Sequence, residues 1–301
     1  MRRLISWLAV AAIVLSGCQA GDGGRSAGAG EMPAKLRVGV VPNIAPDQQR
    51  ARYEPFRAYL AKTLGTGVEL FVATDYAGVV SALASDQLDV AYLGGLTYVQ
   101  AEQQVKVTPL VTEVDRETGT PKYLSAVVVR QDAPYRSVKD LLDRQASFAF
   151  GDVSSTSGSL YPRMMLTEAG ARCSTQDLAS CPPLSTVAFT GGHDATAQAV
   201  LGGSADAGGL ELRVLHRLER DGSVPKGALR VIESRQVMGY PWVVRQALGE
   251  QVRAELLRAF TTITDPSLLD LLRAKRYVPV TADDYGEVRR EATKLGLVTT
   301  S

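Results

Sequence analysis

The sequence predicts an α/β protein of two lobes, each a mainly parallel sheet flanked by helices, with the chain crossing twice between them. Three observations carry that expectation. Strand and helix patterns alternate between Leu36 and Leu93, the alternation restarts after Pro121, and the 301 residues leave room for two medium-sized cores behind a distinctive N-terminus.

That N-terminus is the first element. Arg2 and Arg3 precede an apolar stretch over residues 4–15 and then Leu15-Ser16-Gly17-Cys18, the layout of a secretory signal. The stretch falls short of the roughly twenty apolar residues that a spanning helix needs. Small residues followed by cysteine resemble the bacterial lipobox, which implies lipidation of Cys18 and an anchor at the membrane. Residues 19–34 are rich in Gly, Ser and Ala, a composition that suits a flexible tether. The expected organisation is therefore signal and lipobox over 1–18, tether over 19–34, one lobe from 35–126 plus 238–301, and a second from 127–237.

Leu36-Arg37-Val38-Gly39-Val40-Val41 reads as a buried strand, with Pro42 and Pro46 punctuating the loop that follows. Phe56, Tyr59, Leu60 and Leu64 recur at helical spacing, which places Pro55 in the first turn and Gly65 at the C-terminal cap. A strand over 68–73, a helix opened by Asp75 and a strand over 89–93 complete the first unit. After Pro121 come a strand over 123–130, a helix started by Ser137 with Asp140, and a short strand over 148–150 that runs into Gly151–Ser157. Helices over 158–169 and 193–201 and strands over 206–210 and 229–233 follow. Helices over 252–260, 267–274 and 282–294 are expected to return to the first lobe, with crossings near 126–130 and 234–240.

Charge narrows the function classes. The formal net charge is +1, and −1 without Arg2 and Arg3; no Lys/Arg block offers a footprint for nucleic acid. With only two histidines, His193 and His216, and no CxxC or HExxH spacing, no metal and no cofactor is expected. Cys173 and Cys181 lie eight residues apart in a chain bound for an oxidising compartment and are expected to pair.

The most informative segment is Phe148-Ala-Phe-Gly-Asp-Val-Ser-Ser-Thr-Ser-Gly158, where a strand feeds a hydroxyl-rich turn and then a helix. Orphan N–H groups and the positive dipole end at a helix start, joined by the hydroxyls of Ser155, Thr156 and Ser157, suit a tetrahedral oxyanion. One serine would be enough for an N-cap. His193 opens another helix after Thr190-Gly191-Gly192 and can donate through its ring.

Together these segments resemble the phosphate/phosphite/phosphonate-binding proteins of ABC transporters, which have the type II periplasmic binding fold. The resemblance spans nearly the whole mature chain. It rests on Arg37-Val-Gly-Val-Val-Pro42, Asp75-Tyr76, Asp89-Val-Ala-Tyr-Leu-Gly94, Tyr123-Leu-Ser125, Ser155-Thr-Ser-Gly158 with Pro162-Arg163, Gly192-His193-Asp194, Asp206-Ala-Gly208 and Pro241-Trp-Val-Val-Arg245. It implies a ligand cleft lined by Tyr76, Tyr123, Ser155, Thr156, Ser157 and His193, with Gly95, Glu211 and Tyr240 as a second set of candidates. Tyr92 and Trp242 are expected to pack. It also implies a monomeric, lipid-anchored, extracytoplasmic protein that hands an oxyanion to a transporter permease.

Two departures stand out, Gly94-Gly95 where the family often has Gly-Pro, and a longer segment 171–183 that holds both cysteines. Members that take aminoalkylphosphonates tend to carry an acid before Pro241, whereas this chain has Tyr240; ligands without an amine are expected to bind better. Two other functions compete. One is presentation of an oxyanion, arsenite included, to a sensor kinase. The other is a Ser/His hydrolase, which the local spacing opposes, because a nucleophile elbow needs Gly-x-Ser-x-Gly whereas Gly158 immediately follows Ser157 and Gly151 lies four residues before Ser155.

Overall fold

The computed structural model describes residues 30–299, so the signal segment, Cys18 and most of the tether lie outside the described residues. The chain runs β1 (Lys35–Val40), α1 (Pro46–Leu64), β2 (Gly67–Val72), α2 (Tyr76–Ala84), β3 (Val90–Tyr92), α3 (Gly95–Glu102) and β4 (Val107–Asp115). It continues β5 (Lys122–Arg130), α4 (Val138–Asp143), β6 (Phe148–Phe150), α5 (Tyr161–Glu168), β7 (Val187–Phe189), α6 (His193–Leu201), β8 (Ala207–Glu211), α7 (Leu212–Arg220) and β9 (Leu229–Met238). Then come β10 (Trp242–Arg245), α8 (Gly249–Thr261), α9 (Pro266–Leu271), β11 (Ala274–Pro279) and α10 (Gly286–Lys294).

Two sheets result, one ordered β11-β4-β10-β3-β1-β2 and the other β7-β6-β8-β5-β9. Parallel pairing is confined to the βαβ units: β1 with β2 and β3, and β6 with β7 and β8. The strands around the crossings, β4, β5, β9, β10 and β11, pair antiparallel, so each sheet is mixed rather than mainly parallel. The reason is connectivity: a chain that leaves one sheet for the other comes back without the helical crossover that parallel pairing requires. The cores follow the same division. Val38, Val40, Val90, Phe56, Trp242 and Phe260 pack around the first sheet, and Phe148, Phe150, Leu141, Met165 and Cys181 on one face of the second.

The crossings differ from the expected places. The chain leaves the first sheet after Asp115 and joins the second at Lys122, so residues 116–121 cross, and residues 122–126 belong to the second sheet; the return runs through 239–241. The apolar run at 123–130 is one uninterrupted strand held on both sides by β8 and β9, which leaves no joint inside it.

Local differences have local causes. α1 begins nine residues before Pro55, at Pro46, so Pro55 sits inside the helix on its exposed side. The buried stripe is Gln49, Tyr53, Phe56 and Leu60, and it starts with a polar residue whose amide donates to the Val41 carbonyl at 3.3 Å. Hydropathy alone does not reveal such a start. At the other end of the chain, Arg273 has φ +58, which ends α9 early and lets residues 274–279 pair with β4 as β11. Among the described residues no helix is long and apolar enough to cross a membrane.

Candidate functional site

The parallel strands of both sheets send their C-terminal ends toward the interval between the sheets, where open α/β sheets place ligands. From the first sheet, β2 leads to the N-terminus of α2 and β3 to that of α3; from the second, β6 leads to the Ser155–Ser157 turn and β7 to the N-terminus of α6. Each start carries outward N–H groups and the positive end of its dipole.

These starts touch one another. Asp152 accepts the Tyr76 N–H at 3.2 Å and the Ser154 N–H at 2.7 Å. Thr156 Oγ1 accepts the Leu96 N–H at 2.8 Å, and the Thr97 hydroxyl donates to the Ser154 carbonyl at 2.9 Å. The His193 N–H donates to the Asn43 carbonyl at 3.1 Å, and Asp194 accepts the Ala45 N–H at 3.2 Å. Tyr161 donates its hydroxyl proton to Glu287 at 3.2 Å. Every one of these bonds joins the two sheets' units or braces the turn, so the cleft is closed. Tyr76, Tyr123, Ser155, Thr156, Ser157 and His193 are each at most 1% exposed.

Within the turn the hydroxyls divide their roles. Ser155 accepts the Gly158 N–H at 3.0 Å and is the N-cap, and the following turn is a wide one in which the Leu160 N–H reaches back to the Ser155 carbonyl at 3.0 Å. Such single wide turns occur often at functional sites. Thr156 is engaged by Leu96. The Ser157 hydroxyl has no partner although it is buried, and its backbone carbonyl is fixed by the Ser125 hydroxyl at 2.9 Å. Gly158 has no room for a side chain, because a Cβ there would sit 2.9 Å from Ser155 Oγ and 3.1 Å from His193 Cε1. The histidine is thus packed directly on the turn.

His193 Nδ1 accepts the Glu211 N–H at 3.3 Å, which leaves Nε2 as the ring's donor nitrogen. Nε2 lies 3.4 Å from the Tyr240 hydroxyl and 3.8 Å from Glu211 Oε2. Burial holds the imidazole down at about 4, so it is a neutral donor at neutral pH. Burial pushes the Glu211 carboxyl up, but Arg213 and Arg273 outweigh it and hold it at about 2, ionised. Its Oε1 accepts from Arg213 Nε at 2.7 Å and from Arg273 at 3.0 Å, while Oε2 has no partner. Tyr123 and Tyr240 are raised by burial and by the Glu211 charge and remain protonated donors. The Tyr123 hydroxyl and the Asn43 side-chain amide are likewise buried and unpartnered.

Eight of the nine sequence candidates, Glu211 and Tyr240 included, thus share one closed site. Gly95 stands apart: it opens α3, but a Cβ there would meet Val288 and Tyr285 at 3.3 and 3.4 Å, on the side of α10. Tyr92 and Trp242 pack as expected, Tyr92 between the rings of Tyr240 and Trp242 at 5.1 and 4.8 Å. Cys173 and Cys181 form a disulfide, and Cys181 reaches into the second core while most of the loop between them is exposed.

Sequence reasoning missed Asn43, Asp152, Arg213 and Arg273. Asp152 had a signal, an Asx turn onto Ser154 two residues on. The arginines had little, since Glu113 and Asp115 lie about a hundred positions from Arg213 and Glu211 lies 62 from Arg273, and only the Glu211–Arg213 pair is local. No serine hydroxyl bonds His193 among the described residues, so the geometry holds no Ser–His pair.

Comparison with known proteins bears on the family and the fold. The profile of a family described as "ABC transporter, phosphonate, periplasmic substrate-binding protein" matches residues 38–285. A protein of Mycolicibacterium smegmatis named "Phosphate-import protein PhnD" is 30% identical over 298 residues, covering 93% of this chain and 92% of its own length. A "Probable ABC transporter phosphite binding protein PhnD1" of Prochlorococcus marinus is 25% identical, covering 88% and 91%. The solved structure of PhnD1 from that organism with methylphosphonate aligns with TM-score 0.76 at 25% identity, over 89% of this chain and all of that one. A binding protein component of an ABC phosphonate transporter from Pseudomonas aeruginosa aligns with TM-score 0.77 at 21% identity, over 87% and 86%, and shares the fold.

Proposed function

Because the chain belongs to the family of periplasmic substrate-binding proteins of ABC phosphonate transporters, which bind and do not turn over their ligands, we propose that it captures a small phosphorus oxyanion between its two sheets and delivers it to an importer. One observation carries the reading. Three buried donors without partners, the Tyr123 and Ser157 hydroxyls and the Asn43 amide, belong to the same closed site as the neutral ring of His193, beside four helix N-termini. Donors of this kind match an anion with several oxygens on one centre and cost free energy when buried unpaired.

Tyr76, Tyr123, Ser155, Thr156, Ser157 and His193 are assigned to ligand contact, with Tyr240 and Glu211 at the wall behind His193. Phosphate, phosphite and methylphosphonate are the ligands in question, following the names of the relatives and the ligand of the solved PhnD1 structure. The protein acts as a monomer outside the cytoplasm, tethered through lipid on Cys18, in two lobes that part around residues 116–121 and 239–241.

Calorimetric titration of the mature chain with phosphate, phosphite, methylphosphonate and arsenite tests the reading. We expect one site per chain and micromolar or tighter binding for at least one phosphorus oxyanion; binding of none of them, or of arsenite alone, would sink it. For the anchor, Cys18→Ala should move the protein from the membrane to the soluble fraction after export.

A further inference from the structure

A second cavity, of about 370 Å³, lies on the crossing side of the molecule, away from the Ser155–Ser157 turn. Its walls come from both units: Arg52 on α1, Arg273 after α9, Arg213, Arg217 and Arg220 on α7, and Arg116 in the crossing segment. Six arginines and three acids, Asp115, Glu117 and Asp270, line it, and behind the lining Arg213 also pairs with Glu113 and Glu211, Arg273 with Glu211 and Arg217 with Asp221. The acids are already engaged. Asp115 accepts from Arg213 at 2.9 Å, Asp270 from Arg116 at 2.9 Å, and Glu117 lies 2.9 Å from His216.

What remains is unused guanidinium donor capacity on Arg52, Arg217 and Arg220. Arg52 is half-buried and has no ion-pair or hydrogen-bond partner among the described residues. Arg217 meets Asp221 only at 3.6 Å and keeps one terminal nitrogen buried and unpartnered, as does Arg213. Burial, and then repulsion from Arg273, lowers both Arg52 and Arg217 from the ordinary arginine value, whereas at Arg213 and Arg273 burial is outweighed by neighbouring negative charge, Glu211 first, which raises them. A solvated arginine face would spread its side chains into water, whereas here guanidinium forks from separate elements line one concave space. Such forks match oxyanion geometry in pairs of parallel hydrogen bonds.

We infer that this cavity is a second anion site, built for a small, multiply charged oxyanion of the diphosphate class. Its volume falls at the lower end of the roughly 300–1,000 Å³ range of small-molecule sites and accommodates more than one tetrahedral group. An anion bound there ties α1 to α7 across the crossings, and it shares Arg213 and Arg273 with Glu211 of the cleft. The inference stands independently of which ligand the cleft takes.

The test titrates the full mature protein with inorganic diphosphate, in the wild type and in a Ser155→Ala/Ser157→Ala variant that cripples the cleft. We expect one diphosphate per chain with similar affinity in both proteins. Binding should weaken at least tenfold in Arg52→Gln and in Arg220→Glu; Arg220 lies exposed at the rim, so its replacement leaves folding intact. Absence of binding, loss of binding with the cleft variant, indifference to both arginine replacements, or tighter binding of citrate than of diphosphate would each overturn the inference.

Discussion

The Thr156 hydroxyl accepts the Leu96 N–H at 2.8 Å, so the turn after β6 and the first turn of α3 grip one another across the interval between the sheets. Thr156→Val keeps the shape and removes the acceptor. We expect the variant to sample a more open form, with a larger radius of gyration by small-angle scattering without ligand, and a return to the wild-type value with saturating phosphate. In the wild type, a radius unchanged between free and saturated protein would contradict closure by a hinge.

The three hydroxyls of the turn should separate in mutagenesis. Ser157→Ala removes an unpartnered donor and should cost only affinity, roughly 1.5–3 kcal/mol for a hydrogen bond to a charged group. Ser155→Ala also removes the cap of Gly158 and should lower stability by about 1 kcal/mol as well. Calorimetry paired with thermal melts distinguishes the two; equal melting losses in both variants would reassign Ser157 to structure.

Acid should destabilise the fold in two windows. His193 is held at about 4 against an ordinary 6.5, so the unfolded chain takes up a proton first, and stability present above pH 6.5 is lost as pH falls toward 4, by up to about 3 kcal/mol. Glu211 is held at about 2 against 4.5, so its contribution is present above pH 4.5 and fades toward pH 2. Melting temperatures of His193→Gln should be flatter between pH 6.5 and 4, and those of Glu211→Gln flatter below 4.5. A wild-type slope retained in both variants would place the acid lability elsewhere.

The Cys173–Cys181 disulfide closes a short loop and should stabilise by about 2–3 kcal/mol in the chain-entropy picture. Mass mapping of exported protein without reductant should recover the linked peptides, and Cys173→Ser should lower the melting point without changing ligand affinity, because the loop lies outside the cleft. Free thiols in exported material would disprove the pairing.

Ligands without an amine should bind at least tenfold, about 1.4 kcal/mol, more tightly than 2-aminoethylphosphonate. Tyr240 supplies no charge, and the Glu211 carboxylate, 3.8 Å from His193 Nε2, already faces Arg213 and Arg273. An ammonium would approach an acid whose charge two guanidinium groups have largely met. Should titration rank 2-aminoethylphosphonate first, loss of that rank in Glu211→Gln would trace it to the free Oε2.

Much of this arrangement was legible in the residues. The βαβ alternation, the Asp75 cap, the Ser137/Asp140 capping box and the Ser155–Ser157 turn each depend on interactions within a few residues, which sequence spacing records. β11 and the early start of α1 were not legible, because the first depends on pairing with β4 and the second on a buried Gln49. The mixed character of the sheets escaped for the same reason. The Arg213 network joins residues about a hundred positions apart, and no local pattern announces it.

The second sheet is made entirely of residues between Lys122 and Met238, while the first is assembled from segments on either side. In genetic terms the second unit is a cassette spliced into the first, attached by two short seams. A force or label applied near either described end of the chain therefore acts on one unit only, and the other rides on it as a passenger. A dye pair with one member near Lys35 and the other in the 171–183 loop would report the swing of that passenger directly.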